Sequence, residues 1–171
     1  MSQVTLVALH GNGGGRSRFD LLIAQQPSSV EVVAAELPGF GTSAPDPGLQ
    51  TVADYADHLG RLIASYEQPV LLGHGIGGSI ALDLASRRPE LLGGLILHAP
   101  VAADLDRRLF PRVMATRPVR SLVKVLLAAR PLRPLWRRLF FPTGAPAEVL
   151  DDFFEGYRNC ASFGQMFDII D

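Results

Sequence analysis

One ten-residue stretch, residues 71–80 (LLGHGIGGSI), limits the fold of this chain more than any other. An apolar run precedes it and an apolar helical pattern follows, which predicts a strand, a very tight turn and a helix. Gly73 and Gly77 have the spacing of the G-x-S-x-G nucleophile elbow, in which small residues let strand and helix approach closely. The apex of that turn is Gly75, which has no side chain. The stretch therefore indicates the scaffold of a nucleophile without the nucleophile.

Strand and helix patterns alternate through the first hundred residues. Short apolar runs typical of buried strands lie at residues 4–9, 30–37, 69–72 and 95–98. Helical patterns lie between them, at residues 16–26, at 52–63 after a capping box that begins at Thr51, and at 76–87. This order predicts an α/β fold in which a parallel sheet of four strands carries helices on both faces.

Two further loops follow predicted strands. Residues 10–15 (HGNGGG) come after the first strand, and residues 37–43 (LPGFGTS) come after the second. With residues 71–80, these motifs resemble the α/β-hydrolase superfamily, in particular its cap-bearing members with an H-G-x-x-G oxyanion loop and a P-G-x-G-x-S loop. The motifs cover residues 4–100, and the resemblance implies a hydrolase core over residues 1–100.

The resemblance also assigns site residues. It places the missing nucleophile at Gly75 and the oxyanion-binding N–H groups at Asn12 and Ile76, each such donor stabilising a transition state by roughly 3 kcal/mol. His98, at the end of the fourth strand, and Phe40 are expected to contact substrate. The alternative is that residues 10–15 form only a tight strand–helix turn. Dinucleotide binding is a weaker alternative, because this loop is not G-x-G-x-x-G.

The pattern changes after residue 100. Short helices separated by prolines are predicted at residues 107–115, 119–129, 132–141, 147–157 and 161–171, and the resemblance implies that residues 101–171 form a helical cap. Residues 1–100, 101–142 and 143–171 have net charges of −4, +8 and −5. The favoured interpretation of the basic block is a cap with an arginine-rich polar side and an apolar side that lines a substrate tunnel. Contact with a membrane surface or an anionic group is the alternative.

Bulk properties exclude several classes of protein. No apolar run is long enough to span a membrane, and the N-terminus lacks a signal-peptide pattern. Cys160 is the single cysteine, so no internal disulfide can form and a cytoplasmic location is expected. No set of His, Cys and acidic residues has the spacing of metal ligands, so we expect neither a metal nor a cofactor. Nothing indicates nucleic-acid binding.

The function predicted from the resemblance is hydrolysis of an ester, thioester, lactone or similar acyl bond in a partly hydrophobic small molecule. Gly75 predicts that the serine mechanism is lost. The chain also stops at Asp171, before the strands that carry the acid and the histidine in this family, so we expect the 171 residues alone to be inactive. The alternative is a non-catalytic binding or partner subunit. Because the fourth strand lacks its outer neighbour, we expect its edge to be covered by a second chain that carries the missing strands, by a symmetric copy or by a rearranged cap helix.

Overall fold

The computed structural model describes residues 3–101, 109–114, 116–161, 163 and 165–167, with backbone alone at 109–111 and 165. It has the predicted α/β architecture. Four parallel strands lie in the order β2-β1-β3-β4. Their bounds are Val4–Leu9 (β1), Val30–Ala35 (β2), Val70–His74 (β3) and Gly94–His98 (β4). Each helix that follows a strand returns the chain to the same end of the sheet, so all four carboxyl ends lie at one edge.

Seven α-helices are described. They are Asp20–Ala24 (α1), Val52–Ile63 (α2), Ile76–Arg87 (α3), Leu109–Met114 (α4), Arg117–Ala128 (α5), Arg133–Phe140 (α6) and Ala147–Asn159 (α7). Short 3-10 turns lie at Arg16–Phe19, Pro89–Leu91, Arg130–Leu132 and Gln165–Phe167. The capping box of α2 is confirmed: the Thr51 hydroxyl accepts from Asp54 N–H over 3.1 Å, and the Asp54 carboxylate accepts from Thr51 N–H over 2.8 Å.

Two predicted helices differ from the structure. The helix predicted at residues 16–26 is a 3-10 turn followed by the five-residue α1. The stretch 161–171 was expected to be helical, but its described residues form turns, because the extended backbone of Cys160 ends α7 (φ −66°, ψ 103°). Gly164 within it also has low helix propensity. Residues 107, 108, 115, 162, 164 and 168–171 of the predicted helices lie outside the described residues.

The core has two layers, one on each face of the sheet. The larger cluster packs α2 and α3 against β1 and β3, and its fully buried members include Val7, Leu9, Tyr55, Leu59, Leu71, Ile76 and Ile80. The smaller cluster on the other face joins Ala8, Val32 and Phe19. Because side chains alternate across β1, Val7 and Leu9 face one layer and Ala8 faces the other. Helices on both faces are therefore confirmed.

The C-terminal helical segment, residues 109–167, shares the larger cluster. Met114, Leu127, Cys160, Phe163 and Met166 are buried in it beside residues of the first hundred. The division at residue 100 stays a prediction, and the two parts contribute to one hydrophobic core.

Helices α5 and α6 leave much of their apolar surface exposed. Five large apolar side chains there are solvent-exposed: Leu122, Val125, Leu135, Leu139 and Phe140. Inward-facing residues of the same helices include Leu127 and Trp136, whose indole N–H donates to the Leu126 carbonyl over 2.9 Å. Across the described ranges, no helix is both long and apolar enough to cross a bilayer.

Strand β4 pairs with β3 on one side, and no described strand pairs with its other side. Ile96 is 48% exposed and Leu97 is 37% exposed, whereas Leu71 on β3 is fully buried. An open strand with exposed apolar residues offers unpaired N–H and C=O groups to another strand.

Candidate functional site

The turn between β3 and α3 has Gly75 at its apex, with φ 57° and ψ −123°. This φ lies in the left-handed region, which glycine adopts freely and other residues adopt at a cost. The Gly75 carbonyl accepts from the N–H groups of Gly78 (3.0 Å) and Val101 (3.2 Å). The Gly75 N–H donates to the His98 carbonyl over 3.1 Å. The turn is therefore fixed by α3 on one side and by the end of β4 on the other.

Two other glycines permit the close packing around this turn. A methyl group on Gly73 would lie 2.5 Å from Gly78 Cα, and one on Gly77 would lie 2.6 Å from the His10 carbonyl oxygen. Both distances are far shorter than a van der Waals contact, so neither position accepts a side chain without displacement of the backbone. The N-terminus of α3 consequently lies against the end of β1 and the loop that follows it.

The space beside the apex is open. The nearest described atom to a methyl group on Gly75 would be Gly11 Cα, at the ordinary contact distance of 3.4 Å. Ser79, one turn further along α3, donates its hydroxyl to the Val101 carbonyl and is thereby engaged. Position 75 can therefore hold a small side chain, and that side chain would face the backbone of Gly11.

Residues 10–15, which we call the glycine loop, are held by His10. Its ring is fully buried, with Nδ1 3.0 Å from the Gly11 carbonyl oxygen and Nε2 3.2 Å from the Leu37 nitrogen. Because the Leu37 N–H can only donate, Nε2 accepts, and Nδ1 carries the proton that bonds Gly11. Burial lowers the pKa of His10, which keeps this neutral form. His10 therefore braces the glycine loop, and both of its ring nitrogens are engaged in hydrogen bonds.

The N–H groups of Asn12 and Ile76 are the two that the resemblance predicts as oxyanion donors. The Gly11 carbonyl accepts from His10 and also from the Gly14 N–H over 3.1 Å. Because the peptide is planar, these bonds also orient the Asn12 N–H on its opposite side. Ile76 is the first residue of α3, so its N–H has no acceptor within the helix. Neither N–H has a hydrogen-bond partner among the described residues, and amides of this kind suit an anion or a developing negative charge.

The Asn12 side chain adds an acceptor to the same region. Its Oδ1 is buried and accepts no hydrogen bond from the part of the chain that the structure describes. A ligand with a hydroxyl or amide donor could satisfy it. Asn12 thus presents a backbone donor and a side-chain acceptor in one loop.

Glu36, directly after β2, joins the 3-10 turn that follows the glycine loop to the loop of residues 37–43. Its carboxylate accepts from the Thr42 N–H (2.5 Å), the Thr42 hydroxyl (2.8 Å) and the Arg16 N–H (3.3 Å). Partial burial raises the pKa of Glu36, but these hydrogen bonds outweigh it and the pKa is lowered overall. A methyl group on Gly41 would lie 2.7 Å from the Glu36 carboxyl carbon, so the glycine makes room for the carboxylate.

Sequence reasoning missed this role of Glu36. The available signal was an acidic residue at the end of a buried strand, directly before a glycine-rich loop. That pattern locates the carboxylate in the sequence, but it does not show which backbone N–H groups the folded chain places beside it.

His74 and His98 face each other at the carboxyl ends of β3 and β4. They are paired in the sheet register, and their ring centroids lie 4.9 Å apart at an interplanar angle of 35°. Burial, and then the neighbouring His98 and Arg18, lower the pKa of His74. The predicted contact of His98 with substrate stays a prediction; the structure places its exposed side chain beside the β3–α3 turn.

Phe40 lies in the core. It is almost fully buried, with its ring centroid 5.4 Å from that of His10 and 6.5 Å from that of Tyr55. The Tyr55 hydroxyl donates to the Pro38 carbonyl over 3.1 Å, which holds the loop of residues 37–43 against α2. A direct contact of Phe40 with substrate remains a prediction, and its visible role is to pack behind the His10 brace.

Among the residues that the structure describes, no three His, Cys, Asp or Glu side chains lie together as a metal site requires. The chemistry that this region offers therefore consists of backbone amides, an unpartnered amide oxygen and a pair of imidazoles. The position at the apex of the β3–α3 turn, Gly75, itself has no side chain.

Comparison with known proteins adds the family. The sequence model described as "Alpha/beta hydrolase family" matches residues 6–168. A pimeloyl-[acyl-carrier protein] methyl ester esterase of Neisseria meningitidis serogroup B is 35% identical over 102 residues, which cover 57% of this chain and 38% of the esterase. A 2-hydroxymuconate semialdehyde hydrolase of Pseudomonas sp. strain CF600 is 37% identical over 113 residues, which cover 59% and 40%. The chain thus spans about two fifths of the length of these relatives.

Solved structures share the fold. The epoxide hydrolase CorEH superposes with a TM-score of 0.77 at 19% identity, covering 99% of this chain and 66% of that chain. An esterase from Exiguobacterium antarcticum gives a TM-score of 0.72 at 20% identity, with 99% and 67% coverage. At such identities the likeness establishes architecture and not activity. The family match over almost the whole chain, the parallel sheet and the glycine-built β3–α3 turn agree, and the chain belongs to the alpha/beta hydrolase family.

Proposed function

We propose that this chain forms the oxyanion-binding half of an acyl-hydrolase site, for an ester, thioester, lactone or similar acyl bond. The observation that carries the proposal is the contact between the apex and the glycine loop. A substituent on Gly75 would lie 3.4 Å from Gly11 Cα, next to the peptide whose N–H belongs to Asn12. A carbonyl group bound above Gly75 would have the Asn12 and Ile76 amides as its oxygen donors.

The fixed amides define what the site does to a bound acyl group. Each donor is worth roughly 3 kcal/mol in a transition state that places negative charge on the carbonyl oxygen. Because the His10 and Gly14 bonds hold the Asn12 peptide in advance, little reorganisation is needed when a ligand arrives. The similarity to a methyl ester esterase supports an ester as the bond bound here.

With glycine at position 75, the site can bind an acyl group, but residue 75 cannot attack it. Attack by a serine requires a hydroxyl at the apex, and Gly75 has none. We therefore propose that the chain as written binds the acyl group without forming an acyl intermediate on residue 75. This observation also favours the second candidate, a binding or partner subunit that uses the same pocket.

A titration with a short-chain methyl ester, methyl hexanoate, tests the binding proposal. We expect the backbone amide resonances of Asn12 and Ile76 to shift together, because both N–H groups would donate to the ester oxygen. The variant Gly75→Leu should abolish these shifts by filling the space above the apex.

The matched control is Gly144→Leu. Gly144 also has a positive φ (84°), and no described atom lies within 4 Å of a methyl group there, so the substitution adds the same side chain at another left-handed position. Shifts that persist in Gly75→Leu, or that spare Asn12 and Ile76 in the unchanged chain, would contradict the proposal.

A further inference from the structure

Helix α7 lies directly on the glycine loop. A methyl group on Gly13 would be 2.5 Å from the Tyr157 ring, and one on Gly156 would be 2.2 Å from the Gly13 carbonyl oxygen. Gly13 has a φ of 68°, so it is suited to glycine by conformation as well as by space. The helix and the loop therefore meet without room for a side chain at either position.

Arg18 bridges these two elements. Its Nη2 donates long hydrogen bonds of 3.4 Å to the Gly13 carbonyl of the loop and to the Phe153 carbonyl of α7. Its Nε lies 2.9 Å from the Asp152 carboxylate, and its guanidinium lies 5.0 Å from the centre of the Phe153 ring. Ser17 donates its hydroxyl to the same Asp152 carboxylate. One guanidinium thus contacts the loop and the helix at once.

The loop is held from two sides. His10 and the Gly14 N–H hold the Gly11 carbonyl, which orients the Asn12 N–H, and Arg18 holds the carbonyl of Gly13, one residue after Asn12. The first set of bonds lies within the core, whereas the second depends on α7, which comes 130 residues later in the sequence. Displacement of α7 would therefore release one side of the loop only.

We propose that Arg18 is a positioning residue that couples the place of helix α7 to the orientation of the glycine loop. When α7 is packed on the loop, Arg18 and Tyr157 fix Gly13 and the neighbouring Asn12 N–H. When α7 moves away, the loop loses these contacts and its donor is less well oriented. The functional meaning rests on the proposed role of the Asn12 N–H, but the coupling can be tested without any ligand.

Helix α7 offers a matched pair of carboxylates for that test. Asp152 pairs with Arg18, which touches the loop, and the adjacent Asp151 lies 3.2 Å from Arg133, on α6. The substitutions Asp152→Asn and Asp151→Asn each remove one charge from the same turn of the helix. Only the first removes a partner of the bridging guanidinium.

Amide hydrogen exchange at residues 11–14 is the measurement. We expect Asp152→Asn to accelerate exchange there by about fivefold, the factor expected for loss of one partly exposed ion pair, with Asp151→Asn leaving it unchanged. Arg18→Met, which retains an apolar chain over Phe153, should have an equal or larger effect. Adding Asp152→Asn to Arg18→Met should change little more, because both remove the same bridge.

Denaturant unfolding of each variant separates local from global opening. Faster exchange at residues 11–14 with an unchanged unfolding midpoint supports the coupling. If both Asp variants leave the loop unchanged, or both accelerate it equally, the proposal is wrong. If Arg18→Met does not fold, the exchange rates of Asp152→Asn and Asp151→Asn alone test the coupling. Failure of the ester titration would overturn the binding proposal without touching this result.

Discussion

The Leu37 N–H donates to His10 Nε2 over 3.2 Å, and through this one bond the loops that follow β1 and β2 share a buried imidazole. The bond requires a neutral ring, since a protonated Nε2 cannot accept. Charge on His10 is therefore incompatible with the bond that joins it to the loop after β2.

The first prediction concerns pH. Because burial lowers the pKa of His10 in the folded chain below its ordinary value of 6.5, the unfolded chain binds the proton first. The stability from His10 is thus fully present above pH 6.5 and is lost as pH falls toward the folded pKa. We expect the free energy of unfolding to fall between pH 7 and 5, by up to about 1.4 kcal/mol per pH unit for one proton.

His58→Gln serves as the control for that measurement. Burial also lowers the pKa of His58, but it lies on the partly exposed side of α2 and makes no hydrogen bond with a described residue. Because His58 is only partly buried, we expect the pH slope of the unfolding free energy to shrink more in His10→Gln than in His58→Gln. An unchanged slope in His10→Gln would assign the pH dependence elsewhere.

The second prediction concerns Gly75→Ser. The position has room for the side chain, but its φ of 57° disfavours any residue with a Cβ, so we expect a loss of about 1 kcal/mol in stability. For a domain of this size, that is a fall of about 2–4 °C in melting temperature. Gly75→Ala should fall equally, since the strain comes from the backbone. A melting temperature equal to or above that of the unchanged chain would show an unstrained apex.

The third prediction concerns covalent chemistry at position 75. We expect no turnover of small activated esters by a serine mechanism from this chain, because the apex has no hydroxyl. Treatment with a fluorophosphonate should leave the mass of the peptide that contains residues 71–80 unchanged. Turnover that this reagent blocks, with the label mapped to the chain, would sink the prediction.

The fourth prediction concerns Glu36→Gln. The substitution weakens the acceptor that holds Thr42 and Arg16, so we expect a loss of about 1–2 kcal/mol, reduced from the value for a fully buried group by its partial exposure. Glu31→Gln, on the same strand but exposed, removes an equal charge and should change stability little. Equal unfolding midpoints for the two variants would contradict a structural role for Glu36.

The fifth prediction concerns the edge of the sheet. We propose that β4 of one 171-residue chain pairs with a second copy, since Ile96 and Leu97 are exposed beside unpaired backbone groups. Light scattering over a dilution series should show association that Ile96→Lys abolishes. Leu82→Lys, at a 41% exposed position on α3, should leave association intact. A stable monomer at every concentration would disprove pairing.

The sequence determined the order of elements and the backbone of the site. Apolar runs indicate where the strands lie, and the glycines at positions 73 and 77 permit a turn too tight for larger residues there, because both properties are local. The roles of Asn12 and Ile76 come from the resemblance and stay a prediction, whereas their shared place at the carboxyl edge follows from the parallel sheet. The lack of a nucleophilic side chain at position 75 also follows from the sequence alone.

Only the tertiary structure decided how the loops are held and what lies over them. No sequence pattern predicts the hydrogen bond between the Thr42 N–H and the Glu36 carboxylate. It forms over 2.5 Å because Gly41 leaves room for the carboxylate. The ion pair between Arg18 and Asp152 joins residues 134 positions apart. The orientation of α7 about its axis decides that Asp152 faces Arg18, whereas the adjacent Asp151 faces Arg133. Likewise the stretch 161–171 has a helical pattern, but the extended backbone of Cys160 ends α7 before it, and its described residues Phe163 and Met166 are buried in the core. Contacts of this kind depend on packing between distant elements, which residue-by-residue preference does not encode.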